Sequence, residues 1–166
     1  EELVTEVHRR DGQLFLDMPI NHTGWASALQ LHHPEWFLRL PDDRFQSPGA
    51  WGVTWEDLSQ LDYGQRDLWA YMAEVFIFWC KKGVDGFRCD AAYMVPCPVW
   101  QYITARVREA FPDTVFLLEG LGGPPEATQR LLTEGGMNWG YSELFQVFDR
   151  RHLEAYLPAC QRQSAE

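Results

Sequence analysis

The sequence predicts a parallel α/β fold, and two observations carry that prediction. Apolar strand-like runs alternate with helical patterns, the signature of strands joined by helical crossovers. Two of those runs also end in a carboxylate. Residues 84–90 read V-D-G-F-R-C-D, closing on Asp90, and residues 114–119 read T-V-F-L-L-E, closing on Glu119. A helical pattern separates them, so the acids stand one strand–helix–strand unit apart. A right-handed crossover returns the second strand parallel to the first and puts both acids at one end of the sheet. Neighbouring strands lie roughly 4.8 Å apart, so the two carboxyls would face each other at short range. Strand-end carboxylates alone serve equally well as solvated ends or helix caps. The surrounding motifs have to decide.

The elements follow in order. Residues 1–10 read as a helix with Leu3, Val4 and Val7 on one face, and Asp11-Gly12 is its stop signal. Residues 13–18 read as a buried strand ending near Asp17. The excursion that follows, residues 23–64, carries Trp25, Trp36, Trp51 and Trp55 and several prolines, with little periodicity. It exceeds the length of a plain loop, which marks it as functional or as a small subdomain. Residues 65–82 give the clearest helix, with Leu68, Met72, Val75, Phe76 and Trp79 on one stripe. Lys81 and Lys82 suit its C-terminal end and Gly83 its left-handed cap. After the strand to Asp90, residues 99–110 form a helix with Trp100, Ile103 and Val107 inward. Pro112-Asp113 turns the chain into the strand to Glu119. A Gly/Pro-rich loop, a short helix over 126–133, a strand over 137–145 and a helix over 152–162 complete the pattern.

Bulk properties exclude several classes. A formal net charge of −10 disfavours nucleic acid and anionic membrane surfaces, both polyanions. It is compatible with a neutral substrate. No apolar run is long enough to span a bilayer. Cys80, Cys89, Cys97 and Cys160 show no C-x-x-C spacing, and Cys80 and Cys89 sit in apolar patterns as small hydrophobes. That usage fits a reducing, cytoplasmic setting.

A third strand end, L-F-L-D-M-P-I-N-H over residues 14–22, supplies the missing context. D-M-P-I-N-H, G-F-R-C-D over 86–90 and F-L-L-E-G over 116–120 together resemble the α-amylase family of glycoside hydrolases. They stand in that family's order. L-S-Q-L-D-Y over 58–63 resembles a further short family motif that precedes the fourth barrel strand. The resemblance runs from Leu14 to the region of Gln146. It implies a partial TIM (β/α)₈ barrel with a long excursion after its first strand, covering about strands 3 to 6. A whole barrel takes about 250 residues, so the 166 residues are expected to form a fragment, inactive on its own.

The resemblance also implies roles. Asp90 would be the nucleophile of a retaining, double-displacement cleavage of α-glucosidic bonds, and Glu119 the general acid/base. Arg88, two residues back on the same strand, faces the same side as Asp90, where a guanidinium favours the ionised carboxylate and orients it. A general acid must keep its proton, which burial and a neighbouring anion favour. His22 and Tyr93 join Arg88 as substrate-binding candidates. Asp17, Asn21 and Asp62 are structural or calcium candidates, with Asp17 expected to tie backbone amides. No cofactor is required, and calcium is an option in relatives that bind it. The partner is an α-glucan or malto-oligosaccharide. Tyr63, Tyr93 and Tyr141 are candidate sugar-stacking rings. Trp69, Trp79 and Trp100 sit on helix stripes and read as core. Trp25, Trp51 and Trp55 divide evenly between the two.

The pattern departs from the family in two places. Tyr93 and Met94 occupy positions where many members carry lysine and histidine, which leaves glucan transfer open beside hydrolysis. The maltosyl-transferring branch also shares the nearby proline. The family's third carboxylate, an aspartate following Asn-His, does not occur after Glu119. Two alternatives remain. A catalytically dead amylase-fold binding protein would generally lose the nucleophile or the acid, and both are present. A doubly wound α/β module would need a Gly-rich phosphate loop, and Gly120 to Gly123 lacks the G-x-G-x-x-G spacing.

Overall fold

The computed structural model describes residues 1–142, 144 and 149–163. Four strands form one sheet in the spatial order β1 (Phe15–Asp17), β6 (Gly86–Cys89), β7 (Val115–Leu118), β8 (Trp139–Gly140), and every pair in it is parallel. The sequential order has no reversal, so the topological switch point of a doubly wound sheet is missing among these strands. Between β6 and β7 the chain passes through α4 (Cys97–Ala110), and between β7 and β8 through α5 (Pro125–Thr133). The excursion and α3 (Arg66–Lys81) join β1 to β6. The architecture is a partial (β/α)₈ barrel.

Strand alternation sorts the side chains. Phe87 and Cys89 on β6, with Phe116 and Leu118 on β7, are fully buried. Phe87 and Phe116 meet α3 through Phe76, at ring separations of 4.7 and 5.8 Å. Trp100 of α4 closes the group at 6.1 Å from Phe76, and its indole N–H donates to the carbonyl of Ala92. Arg88 projects from the opposite face. One face of the sheet therefore carries the core, and the other carries the polar chemistry.

Several elements differ from expectation for local reasons. The α1 helix spans Glu2–His8 and ends at the expected Asp11-Gly12 stop, where Asp11 takes the left-handed conformation at φ 55°. On α3 the buried side chains are Leu68, Met72, Ala73, Phe76, Ile77 and Cys80. The apolar face is therefore rotated away from Val75, which is half-buried, and from Trp79, which is 38% exposed instead of core. Gly83 does form the expected left-handed cap, at φ 90°. The last sheet strand is only Trp139–Gly140. Its expected continuation to Phe145 reaches residues outside those described, as does Gln146. The final helix, α6, spans Arg150–Gln163.

The excursion has elements of its own. β2 (His22–Gly24) pairs antiparallel with β5 (Leu58–Gln60), which ties its two ends together at the base. Between them lie α2 (Ala28–His32), capped by Ser27 Oγ accepting the Gln30 amide, and a hairpin of β3 (Gly49–Ala50) and β4 (Val53–Thr54).

The aromatic cluster should dominate stability. Phe76→Ala should destabilise the folded polypeptide by about 3–5 kcal/mol. Leu31→Ala, at a 70% exposed position, should stay within about 0.5 kcal/mol. Denaturant unfolding of the polypeptide that carries this chain reads both, and comparable losses would show that the core lies elsewhere.

Candidate active site

The register of the sheet assembles the site. Arg88 pairs with Asp17 across β1 and with Leu117 across β7, and Cys89 pairs with Leu118. Asp90 and Glu119 are the next residues of their strands, so they stand side by side at the C-terminal ends of neighbouring parallel strands. Asp17 ends the strand on the other side of β6. Such ends are where (β/α)₈ barrels carry their chemistry.

Arg88 organises the carboxylates. One guanidinium nitrogen donates to Asp17 Oδ1 and to Asp90 Oδ1, each at 2.6 Å. Partial burial works against its charge, but the two carboxylates outweigh that and hold its pKa above the ordinary arginine value. Asp17 therefore anchors a side chain rather than the backbone amides expected of it. The Tyr141 ring lies 5.8 Å from the guanidinium carbon, which brings Tyr141, following β8, to the same end of the sheet.

Glu119 is 6% exposed, and the segment after Asp90 is built around it. Its Oε2 accepts the amide of Ala91 and its Oε1 that of Leu121, both at 2.8 Å. The Ala92 amide donates to its main-chain carbonyl at 3.1 Å. Ala91 sits at φ 42° to make this turn. Non-glycine residues avoid that region, and such strain persists where the surroundings over-determine it. Each carboxylate oxygen keeps a further lone pair for a proton.

The remaining candidates divide. His22 opens β2, half-buried, with its ring 6.3 Å from that of Trp55. Its Nδ1 is buried without a hydrogen-bond partner. Burial lowers its pKa, with Asp90 and Asp57 pulling the other way. Tyr93 lies in a 3₁₀ turn, Ala92–Met94. Burial raises the pKa of its phenol, as do the charges of Glu119 and Asp90. Tyr63, by contrast, is buried and donates to the Ile20 carbonyl at 2.6 Å, a core role that removes it as a sugar platform. Asp149 accepts the His152 amide at the start of α6.

The calcium candidates do not converge. Asp62 accepts the Gly64 amide at 2.9 Å and the Gln65 side chain at 3.4 Å, which makes it a turn residue entering α3. Buried Asn21 directs Nδ2 at Met94 Sδ and leaves Oδ1 unpartnered. Among the described residues no three His, Cys, Asp or Glu side chains gather to hold a metal. Calcium asks for six to eight oxygen ligands, and the buried Asn21 Oδ1, which has no hydrogen-bond partner, is one side-chain oxygen of the kind it takes.

Sequence reasoning left Trp51 undecided, and the structure brings it to this end. A Cβ built on Gly122 would lie 2.5 Å from the Trp51 indole nitrogen, and one on Gly123 would lie 2.5 Å from the Tyr93 ring. The only sequence signal for this contact is the pair of glycines shortly after Glu119.

Fold and strand ends together define the active-site end of a (β/α)₈ barrel segment. No family model matches the chain. Over 136 residues it is 30% identical to the alpha-1,4-glucan:maltose-1-phosphate maltosyltransferase of Rhodospirillum rubrum, a match covering 80% of this chain and 19% of that protein. The protein of the same name from Myxococcus xanthus is 34% identical over 128 residues, covering 75% and 19%. Among solved structures, an alpha-amylase from Lactobacillus plantarum superposes with a TM-score of 0.80 at 28% identity, covering 98% of this chain and 41% of that one. The chain belongs to the α-amylase family and supplies four neighbouring strands of its barrel. It spans about a fifth of the length of the curated relatives it matches.

His22 offers a direct check on the site's electrostatics. NMR titration should place its imidazole below the ordinary 6.5. Asp90→Asn should lower it further by removing an anion that favours the charged ring. The stability tied to neutral His22 should be full above about pH 6.5 and lost as the pH falls below that value through the lowered pKa of the folded state. An upward shift in Asp90→Asn would contradict the proximity of the two groups.

Proposed function

We propose that the barrel carrying this chain is a retaining α-glucan-active enzyme that cleaves α-glucosidic bonds by double displacement. The observation that carries the reading is the pairing of Asp90 and Glu119 on adjacent parallel strand ends, with Arg88 bonded to Asp90. Neighbouring strands hold such groups near the separation of about 5–5.5 Å that retention uses.

In the first step an Asp90 oxygen attacks the anomeric carbon, while Glu119 gives its proton to the departing glycosidic oxygen. The C–O bond to the leaving sugar breaks and a glycosyl ester on Asp90 forms. In the second step Glu119, now ionised, takes a proton from the incoming nucleophile, whose oxygen attacks the anomeric carbon and frees Asp90. Water as nucleophile gives hydrolysis, and a sugar hydroxyl gives transfer. Arg88 orients Asp90 through both halves, and Asp17 holds Arg88 from behind. His22 and Tyr93 border the sugar. These side chains supply the chemistry without a cofactor. Free Cys80, Cys89 and Cys97, all buried, support a reducing cytoplasmic setting. No helix among the described residues is long and apolar enough to cross a membrane.

Transfer is favoured over hydrolysis by the names of the relatives. The relatives matched at 30% and 34% identity are alpha-1,4-glucan:maltose-1-phosphate maltosyltransferases by name. Here Tyr93 packs against the Gly123 backbone rather than presenting a flexible cation. Offered maltose-1-phosphate and a malto-oligosaccharide, the full-length polypeptide should release phosphate and lengthen the acceptor. Asp90→Asn should abolish both. Glu119→Gln should lose about 10²–10⁴-fold on donors with poor leaving groups and far less on activated ones. NMR should show retention at the anomeric carbon. Inverted product would refute the double displacement, and equal losses on both donor types would refute Glu119 as the acid.

A further inference from the structure

A single side-chain contact ties the turn after Asp90 to the start of the excursion. Asn21 Nδ2 donates to Met94 Sδ at 3.0 Å. Among the described residues no other hydrogen bond links residues 91–96 to residues 21–64. Met94 ends the 3₁₀ turn Ala92–Met94, which is fixed at its start. The Ala91 and Ala92 amides donate to Glu119, and the Met94 amide donates to the Ala91 carbonyl at 2.9 Å. The thioether is therefore carried on backbone that Glu119 already holds.

Asn21 depends on this partner. It is 1% exposed, and its Oδ1 finds no donor among the described residues. Turning the amide over would set that oxygen against the sulfur, one acceptor facing another. The bond to Met94 therefore selects the orientation, and a buried amide that loses its acceptor is costly to keep in place. The Asn21 carbonyl accepts the Leu61 amide at 3.0 Å, and His22 follows directly. The His22 Nδ1 is buried with no hydrogen-bond partner, and its ring meets that of Trp55 edge-on. Its direction is thus set by its backbone. Pairing with Gln60 fixes that backbone on the excursion side, and Asn21 fixes it on the barrel side.

We propose that Met94 is a positioning residue, whose thioether holds the Asn21 amide and through it sets the His22 ring at the strand-end site. The inference deepens the glucan reading, in which His22 borders the sugar, and rests on it. Met94 acts at a distance from the reacting atoms. It faces a cavity of about 410 Å³ that Leu38, Trp69 and Pro98 help to line, and that His22, Asp90 and Glu119 do not.

Met94→Leu keeps the bulk of the side chain and removes the acceptor. Met94→Gln supplies an amide oxygen at similar reach. In the full-length polypeptide, with α-maltosyl fluoride as donor and maltotetraose as acceptor, Met94→Leu should lower kcat/KM about tenfold, the scale of one lost hydrogen bond. Met94→Gln should recover most of that loss. A cycle with His22→Ala separates positioning from stability. In the His22→Ala background, Met94→Leu should change kcat/KM by less than about twofold, while its effect on the thermal midpoint should be the same in both backgrounds. Equal losses of kcat/KM with and without His22, or no loss in Met94→Leu, would overturn the proposal. If the wild type does not turn over the fluoride, the glucan reading fails instead, and NMR decides the inference. The His22 ring signals should then move in Met94→Leu and return in Met94→Gln, and unmoved signals overturn it. If Met94→Leu does not fold, the wild type carries the test. A nuclear Overhauser contact between the Asn21 side-chain amide and the Met94 methyl group supports the proposal, and its absence overturns it.

Discussion

The parallel register between β6 and β7 is the constraint on which the site depends. It is fixed from two directions. On one face Phe87 and Phe116 lock against Phe76 and Trp100 with no exposed surface. At the strand ends the chain is stitched directly, with the Glu119 amide donating to the Cys89 carbonyl and the Ala92 amide donating back to Glu119. A slip of one residue would turn every side chain of a strand to the other face. Glu119 would then face the helices, and Leu118 would take its place. The hydrophobic core therefore sets where the acids stand.

The polar face shows how charge is handled once the register is set. Asp17, Arg88 and Asp90 come from two strands and form one bridged group, with the guanidinium between two carboxylates. Charge-assisted bonds of this kind fix orientation as well as supplying energy. Strain accompanies them at Ala91, immediately after Asp90, and at Trp51, whose indole meets the loop after Glu119. Both residues adopt backbone that their side chains disfavour, and both lie where the excursion and the barrel strands converge. Positive φ at non-glycine residues also occurs at Asp11, Ala26 and Asp43, and among the described residues at none in α3, α4 or the four-stranded sheet.

The sequence made the sheet and its acids legible because those features are local. Apolar runs ending in Asp90 and Glu119, separated by one helical period, determine both parallelism and end. The Gly83 cap was readable for the same reason. What stayed hidden depends on contacts between distant residues. The partner of Asp17 is Arg88, far along the chain, and nothing near Asp17 announces it. Tyr63 looked like a surface ring because its motif sits beside the site, yet its hydroxyl is spent on the Ile20 carbonyl. The stripe on α3 included Trp79, because periodicity shows that a face is apolar but not how far it is rotated. Trp51 was ambiguous because its place rests on a backbone angle and on two glycines in another loop.

Covalent trapping tests the central claim most directly. A fluorinated α-glucosyl fluoride that forms its ester quickly and loses it slowly should label the full-length polypeptide once. Mass spectrometry of the digested protein should place the sugar on Asp90, and Asp90→Asn should take up none. A label on Glu119 or on any other residue, or turnover of the natural substrate with no covalent species at all, would contradict the assignment of Asp90 as the nucleophile and of the strand pair as its frame.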